Sequence, residues 1–344
     1  MENTQQSEWT DVAPRLQVLS LELEAPQNTL AQDVLEGLRQ KPKELPPKYF
    51  YDERGSWLFD RICETPEYYP TRVEDALLEV YAQEIISATR PRTIFELGSG
   101  ASRKTVHLLN ACEQQSCLST YQPLDVCGEM LVDAGQRLTR NYSWLDVEAL
   151  VGDYSAGLDF ISSTEGPGLY VFLGGSIGNF SHEEALAFLC NVRQSMSRKD
   201  YLLLGADRVK DTGVLNAAYN DSRGYTEAFN LNMLSVINRE LGGQFEHRLF
   251  SHQAFFNEAE SQIEMHLKSE RDQQVLIGSL GMNIELAKGE SIRTEISRKF
   301  TPESLVSMVG EAGLHVVNHY QPENAYFSLL LLSPDGNLGK KTEY

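Results

Sequence analysis

Residues 95–105 read "FELGSGASRKT" and carry the first chemistry in the chain. An apolar run ending at Phe95 meets Glu96, then Gly98 and Gly100, then a helix-like segment. That is the outline of a nucleotide-binding turn, in which glycines let the backbone approach a ligand. A dinucleotide fingerprint wants a third glycine where Arg103 stands, and the phosphate loop fails because Lys104 lacks the glycine it needs before it. The looser pattern acid, apolar, Gly, x, Gly suits a ligand with an adenosyl group and a cationic sulfur but no phosphates, which is S-adenosylmethionine. Taken alone, the same letters describe a Gly-x-Gly that merely lets a helix pack close to a strand.

Further placements point the same way. A strand "TYQPLDV" ends at Asp125, where an acid could accept both ribose hydroxyls, although an aspartate there also suits a helix cap or turn. Gly152-Asp153 falls where a third loop would reach the adenine amino group. Lys104 either pairs with the cofactor carboxylate or is a solvated helix-face lysine. Methyl transfer asks little of the protein beyond holding a nucleophile in line with its lone pair free. The loop "GGSIGNF" lacks the Pro-Pro-aromatic sequence of nucleic-acid amino-methyltransferases; Asn179 within it could bond an amino acid's polar ends or simply form a turn. In "KYFYDERGSWLFDRICETPEYYPTR", tyrosines could cradle an ammonium that becomes quaternary, or line a core or domain seam. In "IRTEISRKF", Glu295 and Ser297 face one side of a strand, where Glu295 could equally be a solvated carboxylate.

The elements that must hold these residues read as alternating strands and helices. Thr71 with Glu74 suggests a capping box before an amphipathic helix carrying Leu77, Val80 and Ile85. Ser181 and Glu184 suggest another, before a helix presenting Ala185, Phe188, Leu189, Val192 and Met196. With the buried runs "LYVFL" and "YLLLGAD", this predicts a parallel sheet covered on both faces. Residues 210–241 then read as helical and 244–297 as short antiparallel strands, before Thr301-Pro302 starts a helix and two closing strands return to the first sheet. The expected fold is α/β, a doubly wound sheet of the class I methyltransferase kind with an insertion before its final strands.

Bulk composition narrows the function. The 344 residues include 30 basic and 49 acidic ones, a formal net charge of −19, and no basic cluster, which argues against a nucleic-acid substrate. Five cysteines show no metal or disulfide spacing, and the seven histidines are scattered, so no metal is expected. A polar N-terminus without an apolar signal core, and no long apolar run, predict a soluble cytoplasmic protein.

From about Leu45 onward the chain resembles the histidine-specific Nα-methyltransferases of ergothioneine biosynthesis. The stretches that carry the likeness include "LPPKYFYDERGSWLFDRICETPEYYPTR", "ELGSGASRKT", "PLDV", "GDY", "VFLGGSIGNF", "LLLGADRVKDTG", "AYNDSRGYTEAFNLNMLSVINREL", "IEMHL" and "TEISRKF". The resemblance implies transfer of three methyl groups from S-adenosylmethionine to the α-amine of histidine, giving hercynine, the trimethyl betaine. It assigns Gly98, Lys104, Asp125 and Asp153 to the cofactor, and Tyr68, Asn179, Tyr219, Met265, Glu295 and Ser297 to a histidine pocket. Tyr51 and Gly174 would line the amine's approach, with Tyr51 and Asn179 nearest the chemistry. Glu295 and Ser297 would satisfy the imidazole, and Asn179 with Tyr219 would hold the substrate carboxylate.

The expected division is a polar N-terminal extension over 1–25, loosely docked; an α+β substrate-binding domain over 26–72 and 210–299; and a Rossmann-like cofactor domain over 73–209 and 300–344. Gly175 and His266 depart from the family pattern and bear on loop mobility and pocket shape. One chain supplies every pocket residue, so a monomer suffices. The alternatives are an Nα-methyltransferase of another aromatic amino acid, such as tryptophan, and a non-catalytic ligand sensor.

Overall fold

The computed structural model describes residues 9–21, 29–153, 158 and 166–336. The chain opens with β1 (Thr10–Ala13) and β2 (Leu16–Ser20), then α1 (Leu30–Gly37), β3 (Lys43–Glu44), α2 (Glu53–Cys63) and α3 (Tyr69–Thr89). Alternation follows: β4 (Thr93–Leu97), α4 (Thr105–Gln114), β5 (Thr120–Asp125), α5 (Gly128–Asn141), β6 (Val147–Val151), β7 (Gly168–Phe172), α6 (His182–Ser195) and β8 (Tyr201–Asp207). Next come α7 (Thr212–Ala218), α8 (Tyr225–Leu241), β9 (Phe250–Asn257), β10 (Gln262–Ser269), β11 (Gln273–Ile277), β12 (Met282–Leu286) and β13 (Ser291–Arg298). The closing elements are α9 (Pro302–Glu311), β14 (His315–Tyr320) and β15 (Phe327–Ser333).

The principal sheet has nine strands in the order β1-β2-β6-β5-β4-β7-β8-β15-β14. The run from β2 to β8 is parallel, and β15 joins antiparallel to β8. Every residue of β4 and β7 is buried, as expected of central strands with helices on both faces. These two strands are neighbours although α4, β5, α5 and β6 separate them in sequence, so the winding direction reverses between them. The crevice at their carboxyl ends is where open α/β sheets bind ligands.

The loosely docked extension expected over residues 1–25 is corrected for residues 10–20. There, β2 pairs in parallel with β6 and β1 covers its edge. Leu16 is wholly buried, and the Arg15 guanidinium donates to the carbonyls of Thr139 at 2.5 Å, Tyr142 at 2.6 Å and Leu145 at 2.9 Å. Those carbonyls lie in the last turn of α5 and the loop that follows it, so Arg15 ties the N-terminal strands to the end of that helix. Residues 1–8 and 22–25 lie outside the described residues.

A second layer lies over the crevice side. Its sheet runs β3-β13-β10-β9, beside the β11-β12 pair. One hydrophobic cluster joins Val34, Phe50, Leu58 and Tyr68 to Phe229, Met233, Ile263 and Met265, so residues before α3 share a core with residues after β8. Between β10 and β13 the register shifts, pairing Met265 with Glu295 but His266 with Arg293. Thr294 is the extra residue of this bulge; its buried hydroxyl donates to Asn230 Oδ1 at 2.7 Å and lies 3.1 Å from the Met265 carbonyl.

Two helix starts contrast. Ser181 and Glu184 form the expected capping box, each accepting from the other's backbone N–H at 3.2 and 2.8 Å. The box expected at Thr71 and Glu74 does not form: α3 starts at Tyr69 with Pro70 in its first turn, and Glu74 points into the protein, wholly buried. Val80, expected on the apolar face of that helix, is 67% exposed.

Candidate active site

The glycine turn after β4 is built on two residues in the left-handed region, Gly98 at φ +67° and Gly100 at φ +51°. A β-carbon is disfavoured at both. Gly98 and Ser99 donate to the Leu124 carbonyl at 2.8 and 3.1 Å. Gly100 N–H donates to Asp125 Oδ2 at 2.8 Å and Cys127 N–H to Oδ1 at 3.0 Å. Asp125 thus fixes the turn while half of its acceptor capacity remains for a ligand. Gly152 N–H donates to the Asp125 carbonyl at 3.0 Å, which ties the loop carrying the half-buried Asp153 to the same edge.

Beneath the turn, Glu96 accepts from Thr105 Oγ1 at 2.5 Å and from the Tyr121 hydroxyl. Burial nevertheless raises its carboxyl to about 7. Glu96 is therefore spent on the scaffold. Ser99 Oγ is buried in the turn with no hydrogen-bond partner, an orphan that a polar ligand would satisfy. The Gly98–Gly100 backbone, Ser99 and Asp125 together fit the adenosyl and ribose groups of S-adenosylmethionine.

Lys104 leads into α4, and its ammonium pairs with the Glu74 carboxylate. Glu74 also accepts from Gly174 N–H, at 2.9 Å to one oxygen and 2.8 Å to the other. A β-carbon at Gly205 would stand 2.0 Å from the same carboxylate. One buried acid on α3 therefore holds the start of α4 and the loop after β7 together. Gly174, at φ +79° and exposed, offers its backbone to the crevice.

On the facing layer, the seam lies between the Ser176–Asn179 turn and β13. Asn179 Nδ2 donates to Glu295 Oε1 at 2.9 Å and to the Ile296 carbonyl at 3.2 Å. Both amide hydrogens are committed to β13, which leaves the Asn179 oxygen as the atom open to a ligand. Glu295 keeps partial solvent contact, yet crowding by protein pushes its carboxyl up to about 7 against the Asn179 bond and the nearby Lys299 charge. The Tyr219 hydroxyl donates to Ser297 Oγ at 2.9 Å, so its hydrogen too is unavailable to a carboxylate.

Tyr68 is buried, its ring 6.0 Å from those of both Tyr219 and Phe59, and burial holds its hydroxyl neutral. No group among the described residues accepts its hydrogen. Met265, 1% exposed, lies across the ladder from Glu295. Tyr51 is 43% exposed and packs edge-on against Phe59 and Phe229 at 5.7 and 5.6 Å. The Tyr219 carbonyl is held by His252 Nε2 at 2.9 Å, while His252 Nδ1 accepts from Asn230 at 2.9 Å. The pocket tyrosine is thereby tied to the residue that anchors the bulge. His266, the departure noted beside Met265, stacks on Phe255 and contacts Glu264 at 3.0 Å, on the other face of β10 from Met265.

The family of SAM-dependent histidine-specific methyltransferases matches residues 30–334. This chain belongs to that family. Histidine N-alpha-methyltransferases of Mycolicibacterium smegmatis and Mycobacterium tuberculosis are each 42% identical over 302 residues, covering 88% of this chain and 94% of theirs. The L-tryptophan methyltransferase of Psilocybe serbica is 30% identical, covering 93% of this chain and 98% of that one. The methyltransferase uses S-adenosylmethionine. Its structure adds residues that sequence reasoning passed over: Ser99, Glu74 as a bridge, Thr294, and a buried cluster of Asp207, Lys210 and Lys299. Asp207 ends the apolar run "YLLLGAD", and a charge in that place was the available signal; Lys299, within "SRKF", carried none.

Proposed function

We propose that this methyltransferase converts L-histidine to hercynine by three methyl transfers to the α-amine, a step of ergothioneine biosynthesis. The observation that carries this is the pair Glu295 and Ser297 on β13, a carboxylate and a hydroxyl beside the Met265 side chain. A neutral imidazole has one N–H and one bare nitrogen, and such a pair satisfies both. Residues 26–72 and 210–299 form the substrate-binding domain, and 73–209 with 300–344 the cofactor domain. The enzyme acts as a cytoplasmic monomer, since one chain carries every pocket residue. Among the described residues no helix is long and apolar enough to cross a membrane.

Gly98, Asp125 and Asp153 hold the adenosyl end, and Lys104 reaches the amino-acid end of the cofactor. The bound cofactor supplies an activated methyl group on a sulfonium. The chain's own residues do the rest. Tyr68 donates to the substrate carboxylate, and Asn179 Oδ1 accepts an amine N–H, which aims the nitrogen lone pair across the Gly174 backbone. Tyr219 packs against the substrate beside Ser297. Before each transfer the amine sheds a proton, which Tyr51, at the exposed mouth, passes to solvent. As methyls accumulate, N–H donors vanish and the tyrosine faces take over through cation–π attraction.

The test is mass spectrometry of the purified protein with S-adenosylmethionine and an equimolar amino-acid mixture. Histidine gaining three methyl groups, with tryptophan and tyrosine unmodified, is the expected outcome. Methylation of another amino acid would overturn the pocket assignment while keeping the cofactor site; binding without any product would indicate a sensor.

A further inference from the structure

Behind Ser297 lies a buried charged cluster to which methyl transfer gives no task. The Lys299 side chain is 1% exposed. Its ammonium donates to Asp207 Oδ2 at 2.9 Å, to Ser297 Oγ at 2.8 Å and to the Tyr219 hydroxyl at 3.0 Å. Those contacts use all three of its hydrogens. Asp207 also pairs with Lys210 and accepts from the Tyr69 hydroxyl at 2.7 Å, so the acid that anchors Lys299 is itself fixed from two further elements.

The consequence is a direction. Tyr219 and Ser297 each accept from Lys299, and the single hydrogen between them is given by Tyr219 to Ser297. Ser297 Oγ then has both lone pairs occupied, and its own hydrogen is all it can offer a ligand. We propose that Lys299 is a positioning residue that orients the Ser297 hydroxyl as an obligatory donor, so that the pocket accepts an imidazole only in its neutral form, bare nitrogen toward Ser297 and N–H toward Glu295. The inference rests on the histidine assignment above and deepens it: the site selects a protonation state of its substrate as well as a ring. A lysine paired only with aspartate would be scaffold; here the ammonium also grips two hydroxyls of the site.

An imidazolium presents hydrogens at both ring nitrogens and would meet the Ser297 hydrogen head-on. With Lys299 replaced by an apolar side chain, Ser297 is free to turn and accept, and that discrimination disappears. The charged and titratable groups around Lys299 are Asp207 and Arg208 at the end of β8, Lys210 after it, Tyr69 on α3, Tyr219 after α7 and Glu295 on β13. Because Glu295 titrates near 7 and Lys210 near 8, a kinetic pH profile mixes their ionisation with the ligand's. The ring nitrogens must therefore be observed directly.

The experiment is nitrogen NMR of 15N-labelled histidine bound to the wild-type enzyme with S-adenosylhomocysteine, at about pH 6, where free imidazole is largely protonated. One pyrrole-type and one pyridine-type nitrogen in the bound ligand is the expected result. Two pyrrole-type nitrogens overturn the inference while leaving histidine as substrate. No histidine binding overturns the substrate assignment and the inference with it. In Lys299→Met, where Asp207 keeps Lys210 and Tyr69, KM for histidine rises about tenfold, the size of one lost hydrogen bond. The bound ligand then shows imidazolium at about pH 6, and kcat falls far less than KM rises. In a Ser297→Ala background, Lys299→Met changes KM for histidine by less than about twofold, because Lys299 acts on the ligand only through the Ser297 hydroxyl. Full additivity of the two would sink the proposal, and should Lys299→Met not fold, the wild-type spectrum decides alone.

Discussion

Glu295 sets binding against stability within one side chain. Burial lifts its carboxyl from the usual 4.5 to about 7. Between those values the native state holds a proton that the unfolded chain has lost. Its contribution to stability is therefore complete below about pH 4.5 and declines as pH rises through 7. Glu295→Gln keeps an acceptor for Asn179 and removes the buried charge. The variant should gain about 1–2 kcal/mol at pH 8 and nothing at pH 4, read from urea midpoints. At the same time kcat/KM for histidine should fall on the order of a hundredfold, since an ionised acceptor is lost. No gain at pH 8 would mean that the carboxylate is better solvated than its surroundings indicate. At this scale the sequence was legible where local order sets the position, as for Asp125 at the end of the strand after the glycine turn. It was silent where pairing is three-dimensional: Glu74 looks like a helix cap in sequence, and only the fold brings it to Lys104 and Gly174.

Elements register the two halves of the site through one tight contact. A β-carbon on Gly178 would lie 2.8 Å from the Arg298 carbonyl oxygen and 3.2 Å from its nitrogen, both backbone atoms that cannot step aside. Gly178→Ala should push the Ser176–Asn179 turn off β13 and part Asn179 from Glu295. We expect KM for histidine to rise about tenfold or more by loss of that alignment, with the Kd for S-adenosylmethionine changing less than about twofold. Calorimetric titration of each ligand separates the outcomes; equal weakening of both would show a general unfolding of the loop. Element types were readable from periodicity: the buried parallel strands, the Ser181 cap and the antiparallel excursion all appear as expected. The bulge at Thr294 was not. Nothing in the letters of "IRTEISRKF" marks an extra residue, which exists only relative to the partner strand.

For the whole molecule, the N-terminal strands are part of the cofactor half. A β-carbon on Gly135 of α5 would stand 2.6 Å from Leu16 Cδ1, so the helix packs directly onto this leucine. Leu16→Ala should cost about 2–4 kcal/mol, lowering the urea midpoint without changing the slope, as a cavity in a packed core does. An unaltered midpoint would return β1 and β2 to the status of a loose appendage.

The sequence by itself determined the doubly wound α/β class, the glycine turn with its acid on the next strand, and the family, because these depend on local order along the chain and on motifs read in line. Tertiary structure alone decided that β2 edges the sheet, that residues before α3 share a core with those after β8, and that Lys299, Asp207 and Glu74 sit behind the site. Each of those depends on which distant surfaces exclude water together, and burying a charge is tolerable only when its partners arrive from other elements.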